Sequence, residues 1–214
     1  MSGPVLSSIT QHDVLLIIDV QRDFCADGRL AVSDGDAVVP LINQLASRFH
    51  HVILTQDWHP AGHSSFASTH PGRLPYETME APYGPQTLWP DHCIQSSSGA
   101  EFHPDLDIPH VELILRKGFR AAIDSYSAFT ENDKTTLTGL AGYLRERGFK
   151  RIFLAGLAYD YCVRFSAVDA VRAGFKAFVF EDACRAVNLG DSVADTQREF
   201  AETGVVRLGT AELA

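Results

Sequence analysis

Residues 145–180 read RERGFKRIFLAGLAYDYCVRFSAVDAVRAGFKAFVF, and this stretch decides the fold. A charged helical segment reaches Gly148 and passes into the apolar run RIFLAG. A small-residue turn and an amphipathic segment follow, and at Gly174 the chain enters a second apolar run, AFVF. The pattern recurs at 201–209, AETGVVRLG, around Gly204. In each case a helix ends at a glycine suited to the left-handed position after the last turn. The apolar run that follows is short and polar-bounded, as a buried strand is. Working outward, VLLIIDV (Val14–Val20), HVILTQ (His51–Gln56) and VELILR (Val111–Arg116) read as three more strands. A helix is predicted from Val38 to Phe49, with Leu41, Leu45 and Phe49 on one face. Six strands alternating with helices predict an α/β fold: a doubly wound, six-stranded parallel sheet with helices on both faces. At 214 residues and 45% hydrophobic content, the whole chain, 1–214, is expected to form a single domain.

Residues 57–110 differ in character. They are rich in Pro, Gly, Ser and His and carry both tryptophans. A connection this long inside a compact domain is uncommon unless it is functional, so the segment is expected to cover or line a site.

Composition excludes several roles. The net charge is −9, and no Lys/Arg cluster offers a surface for nucleic acid. No apolar run approaches the roughly 20 residues a bilayer crossing requires. The opening segment MSGPVLSSITQHD lacks the basic and apolar regions of a secretory signal, so the expected location is cytoplasmic. The cysteines, Cys25, Cys93, Cys162 and Cys184, include no CxxC pair and read as reduced thiols.

Reactive groups recur at the carboxyl ends of the predicted strands: Asp19, Asp57 with His59, Lys117 and Cys162. In a parallel sheet those ends share one edge, where open α/β proteins bind ligands. Cys162 lies where a strand turns into a helix, and the helix N-terminus together with a nearby lysine favours the thiolate. An inert buried thiol is the alternative, and it is preferred for Cys25, Cys93 and Cys184. Asp19 and Lys117 can serve as proton carrier and charge partner, or as an ion pair closing the sheet edge. Asp57 and His59, two apart on an extended segment, point to the same side and can reach one ion. A third ligand would come from His63, His70 or His92, and the donor chemistry suits zinc, iron or manganese. Phe24, Trp58, Trp89 and Tyr126 can stack on a flat heteroaromatic substrate or simply fill a core.

In order along the chain stand DVQRDFCADGRLAV (19–32), TQDWHPAGHSSFAS (55–68), QTLWPDHCIQSSSGAEFHP (86–104), RKG (116–118) with DSYSAF (124–129), and GLAYDYCVRFSAVDA (156–170). Together they resemble the nicotinamidase/pyrazinamidase family of isochorismatase-like cysteine hydrolases. The resemblance spans nearly the whole chain and is least diagnostic before His12 and over Thr69–Tyr83. It implies hydrolysis of a small aryl carboxamide such as nicotinamide, with Asp19, Lys117 and Cys162 as catalytic triad. It further implies Asp57, His59 and His92 as metal ligands, and Phe24, Trp89 and Tyr126 around the substrate ring. The backbone amides of Ala158 and Cys162 would form the oxyanion hole beside a cis Leu157–Ala158 peptide. His63 or Ser65 is an additional ligand candidate in that scheme. Rival readings are another hydrolase of the same fold acting on a different small amide or a vinyl ether, a binding module without turnover, and a thiol redox sensor built on Cys162. The DWH and WPDHC segments favour the metal-dependent amidase.

Overall fold

The computed structural model describes residues 8–213, so most of the segment examined for a signal, residues 1–7, lies outside the described residues. A six-stranded sheet forms from β1 (Asp13–Ile18), β2 (Val52–Asp57), β5 (Val111–Lys117), β6 (Arg151–Leu157), β7 (Lys176–Arg185) and β8 (Val206–Leu208). The strand order is β5-β2-β1-β6-β7-β8, with every neighbouring pair parallel. The chain winds outward from β1 through β2 to β5. It then returns to the middle, lays β6 beside β1, and winds the other way. The carboxyl ends of β1 and β6 therefore flank the point where winding direction reverses, the usual crevice of an open α/β sheet.

The apolar runs of β1, β2 and β6 form strands here because the middle of the sheet is covered on both faces, which leaves no polar side to alternate with. All six residues of β1 are buried, and successive side chains point to opposite faces. Leu15 and Ile17 join a core with Val38, Ile42 and Leu45 of α1 (Val38–Ala46). Val14, Leu16 and Ile18 join a second core, built with α2 (Leu140–Glu146), α3 (Arg164–Arg172) and α4 (Ser192–Thr203) through Leu144, Val168 and Phe200. In the first core the Phe153 ring stacks on Phe178 at 4.7 Å and meets Phe49 edge-on at 5.1 Å. Phe153 has no exposed surface. Phe153→Ala is expected to lower unfolding free energy by about 3–5 kcal/mol, read as an earlier urea midpoint with unchanged slope.

Glycines 148, 174 and 204 adopt left-handed φ of 75°, 91° and 83° after their helices, as the sequence predicts. Other boundaries shift. The first strand stops at Ile18 because Asp19 takes φ 47°, which turns the chain out of the sheet. The predicted 38–49 helix closes at Ala46, and Phe49 reaches the core from the turn beyond. Asp57 and Lys117 are the last residues of β2 and β5 and stand in register across the ladder.

The 57–110 segment carries an antiparallel hairpin, β3 (Thr78–Ala81) with β4 (Gly84–Thr87), outside the main sheet. Backbone bridges His59–Ile94, Phe66–Trp89 and Gln21–Phe102 tie the segment down across the strand tips. Among the described residues, no helix is long and apolar enough to cross a membrane.

Candidate active site

Four strand tips meet at the crevice. Thr55, two residues before the end of β2, donates its hydroxyl to Asp19 Oδ1 at 2.6 Å, and its Oγ1 accepts the Asp19 amide at 3.1 Å. Gln21 fixes the next tip: its side-chain carbonyl accepts the Asp57 amide, and its Nε2 donates to the Asp57 and Ala100 carbonyls. Lys117 reaches inward from the end of β5. Its Nζ lies 2.8 Å from Asp19 Oδ2, 3.0 Å from Asp57 Oδ1, 2.9 Å from the Ser125 carbonyl and 3.4 Å from Cys162 Sγ. The ammonium donates to Asp57, Ser125 and Cys162, which takes up its three protons, and Asp19 adds an ion pair. Cys162 stands on a π-helical turn, Tyr159–Val163, that joins β6 to α3. The peptide joining Leu157 to Ala158 is cis.

These groups are almost wholly buried, so their charges are decided by one another. Burial alone would lower the Lys117 pKa, but Asp19 and Asp57 outweigh it and hold the ammonium well above its usual value. Burial raises the Asp19 carboxyl, with Lys117 opposing. Asp57 lies well below the usual carboxylate range, because His59 and Lys117 overcome its burial. For Cys162, burial is the largest influence, and the Asp19 and Asp57 carboxylates add to it; Lys117 does not compensate, and the thiol is raised well above its ordinary value. In the structure Sγ accepts a hydrogen bond from Lys117 Nζ. The helix N-terminus and lysine that favour the thiolate are opposed by two anions and the loss of water. Cys25 and Cys184 are pushed up to about 12, chiefly by burial, which fits inert thiols.

Beside this cluster, Asp57, His59 and His92 offer ligand atoms within 4.8 Å of one another. His59 Nδ1 bonds the Gly118 carbonyl at 2.8 Å, and His92 Nδ1 bonds the Pro90 carbonyl at 2.7 Å. A carbonyl only accepts, so each Nδ1 carries hydrogen and each ring turns its Nε2 inward. Those Nε2 atoms face Asp57 Oδ2 at 2.9 and 3.3 Å. A cation among these three donors would neutralise the carboxylate, and backbone-anchored imidazoles are the usual support of a metal ligand. These residues fit a divalent metal. Gly118, at φ +67°, makes the approach possible, since a Cβ there would lie 2.5 Å from the His59 ring.

His63 and Ser65 pair with each other at 2.8 Å, and the other ring nitrogen of His63 bonds the Arg120 carbonyl at 2.9 Å. Both nitrogens of His63 are thus engaged within the loop. His70 bonds the Ser64 carbonyl. Phe24 meets His92 edge-on at 5.5 Å, and Trp89 Nε1 donates to Tyr126 Oη at 3.0 Å. Phe24, Trp89 and Tyr126 all line the cavity that opens onto Cys162. Trp58 does not; Arg116 covers its ring at 3.8 Å. Tyr161, Leu30, Val187 and Asp124 complete the walls and were not singled out in the sequence. For Tyr161, whose ring lies 4.8 Å from that of Trp89, the available signal was its place one residue before Cys162.

The isochorismatase domain family matches residues 13–210, and the chain belongs to that family. A nicotinamidase of Acinetobacter baylyi is 48% identical over 93% of each chain. Among solved structures, a nicotinamidase/pyrazinamidase of Acinetobacter baumanii superposes with TM-score 0.95 at 53% identity, covering 96% of this chain and 99% of that one. Within the family, the chain groups with the nicotinamidases and pyrazinamidases. A protein of L. infantum solved with nicotinate gives TM-score 0.85 at 38% identity, covering 97% and 98% of the two chains. The Pyrococcus horikoshii pyrazinamidase, solved with zinc, gives 0.75 at 30% identity, covering 92% and 99%.

Proposed function

We propose that this chain hydrolyses nicotinamide to nicotinate and ammonia, and pyrazinamide likewise, as a step of NAD salvage. The observation that carries the reading is the meeting of Cys162 Sγ with Lys117 Nζ, itself paired to the Asp19 carboxylate, behind a narrow aromatic cavity that Cys162 lines, next to the Asp57, His59 and His92 donors. We read the chain as one catalytic unit with the 57–110 segment folded over the site.

In this mechanism Phe24, Trp89 and Tyr126 hold the ring so that the carboxamide carbon faces Sγ, which removes much of the entropic barrier. Asp57, His59 and His92 would hold a zinc, iron or manganese ion, which would supply an anchor for the ring nitrogen. Asp19 accepts the Cys162 thiol proton as sulfur bonds to carbon. The ammonium of Lys117 balances the negative charge then shared between Sγ and Asp19. Backbone N–H groups of Ala158 and Cys162 hold the oxyanion, each donor contributing about 3–4 kcal/mol in comparable sites. The carbon–nitrogen bond breaks as Asp19 passes its proton to the departing nitrogen, which leaves as ammonia. Water then attacks the thioester and gives a proton to Asp19, the carbon–sulfur bond breaks, and Sγ takes that proton back.

Purified protein incubated with nicotinamide is expected to release ammonia and nicotinate in equal amounts, with about one equivalent of metal in the same sample. Absence of nicotinate under metal-replete conditions would defeat the reading. Asp57→Ala and His59→Ala are expected to lose bound metal and turnover together, as removal of a ligand should. Elemental analysis checks this, and full occupancy in either variant would remove that residue from the ligand set.

A further inference from the structure

A third carboxylate belongs to this site. Asp124 lies in the loop after β5, is 2% exposed and lines the catalytic cavity. Its Oδ1 accepts the Ser125 amide at 2.8 Å, and its Oδ2 accepts Gln86 Nε2 at 2.7 Å. Oδ1 also stands 4.0 Å from His59 Nε2, the nitrogen that faces the proposed metal position. Among the described residues, no Lys or Arg forms an ion pair with Asp124; its ion-pair-range neighbour is His59. Asp124, His59 and His63 offer ligand atoms within 4.8 Å of one another, so the carboxylate adjoins the proposed ligand cluster through His59.

We propose that Asp124 is a positioning residue of the metal centre. Its carboxylate stands one water away from the ion that Asp57, His59 and His92 would hold, and Oδ1 would accept a hydrogen bond from that water. The 4.0 Å spacing from a ligand nitrogen suits a group one water away, and both carboxylate oxygens are oriented by Ser125 and Gln86. The inference rests on Asp57, His59 and His92 being the ligands, so its test keeps the two failures apart.

The test measures Zn2+ affinity by competition with a chromogenic chelator, using full-length wild type, Asp124→Asn, Gln86→Met and Asp57→Ala. The urea midpoint of each metal-stripped form is measured alongside. Asp124→Asn is expected to bind zinc about 10–100-fold more weakly. Its stripped form should unfold near the wild-type midpoint, because relief of an unneutralised buried charge offsets one mismatched hydrogen bond. Gln86→Met removes that hydrogen bond, together with those to Tyr83, Thr87, Tyr126 and Asn132, but keeps the carboxylate, and should stay within about threefold of wild-type affinity, well short of the loss expected for an outer-sphere partner. Equal weakening by both variants would assign Asp124 a packing role and overturn the proposal, as would unchanged zinc affinity in Asp124→Asn. Should Asp124→Asn fail to fold when stripped, the Gln86→Met comparison still decides, since large weakening there overturns the proposal by itself. Retained zinc affinity in Asp57→Ala would instead refute the ligand set, and the proposal with it.

Discussion

Cys162→Ala will release no measurable ammonia from nicotinamide, a fall of roughly 10⁴-fold or more in turnover, as expected when a nucleophile that acts in concert with its partners is removed. The fold should persist. Lys117 keeps its three oxygen partners, Asp19, Asp57 and the Ser125 carbonyl, without the sulfur, and only one small buried atom is lost. Bound metal should persist as well, because Sγ is outside the Asp57, His59 and His92 set. Ammonia assay, elemental analysis and a urea titration on one preparation check all three points. Substantial turnover in this variant would remove sulfur from the reaction altogether.

The second large effect is expected from Lys117→Met, which keeps side-chain length and removes the charge. Asp19 and Asp57 would then face each other, buried, with no ammonium between them. Removing one partner of a buried ionic cluster costs about 3–5 kcal/mol, measured on metal-stripped protein so that no other cation compensates. The pH dependence follows from the Asp19 carboxyl, which burial already raises and which would rise further. A carboxyl raised in the folded state favours folding at pH below its unfolded value, near 4, and that contribution is lost as pH climbs through the folded value. The stability deficit against wild type should therefore be smaller at pH 5 than at pH 8, while turnover is lost at both. A deficit independent of pH, or none, would show that the lysine does not neutralise these carboxylates.

The sheet was legible in the sequence for a specific reason. Strands covered on both faces must be apolar throughout, so VLLII, VILT and RIFLAG stand out, and their terminal polar residues mark one rim. The approach of Asp19, Asp57, Lys117 and Cys162 follows from that rim. What was not legible depends on contacts between distant segments. Gln86 and Asp124 are 38 residues apart, and nothing local in DSYSAF marks the aspartate as a neighbour of the ligand cluster. Thr55 and Gln21 are each two positions from a site residue, a period-two relation that the strand reading could have used. The hairpin over 78–87 carries TMEA and GPQT, which have neither the apolar run nor the alternation of a packed strand. The opposition of burial and two carboxylates to the Cys162 thiolate was not legible, because those carboxylates come from other strands.

The central strand β1 belongs to both cores at once, with Leu15 and Ile17 on one side and Leu16 and Ile18 on the other. Neither layer can loosen while the other stays packed, so the segment bearing Asp19 should be among the slowest to exchange its amide hydrogens. The Asp19 carboxylate is thus suspended from the last part of the molecule to come apart. Heating should extinguish turnover and tertiary structure in a single cooperative event, without an earlier stage in which an intact scaffold carries a melted site.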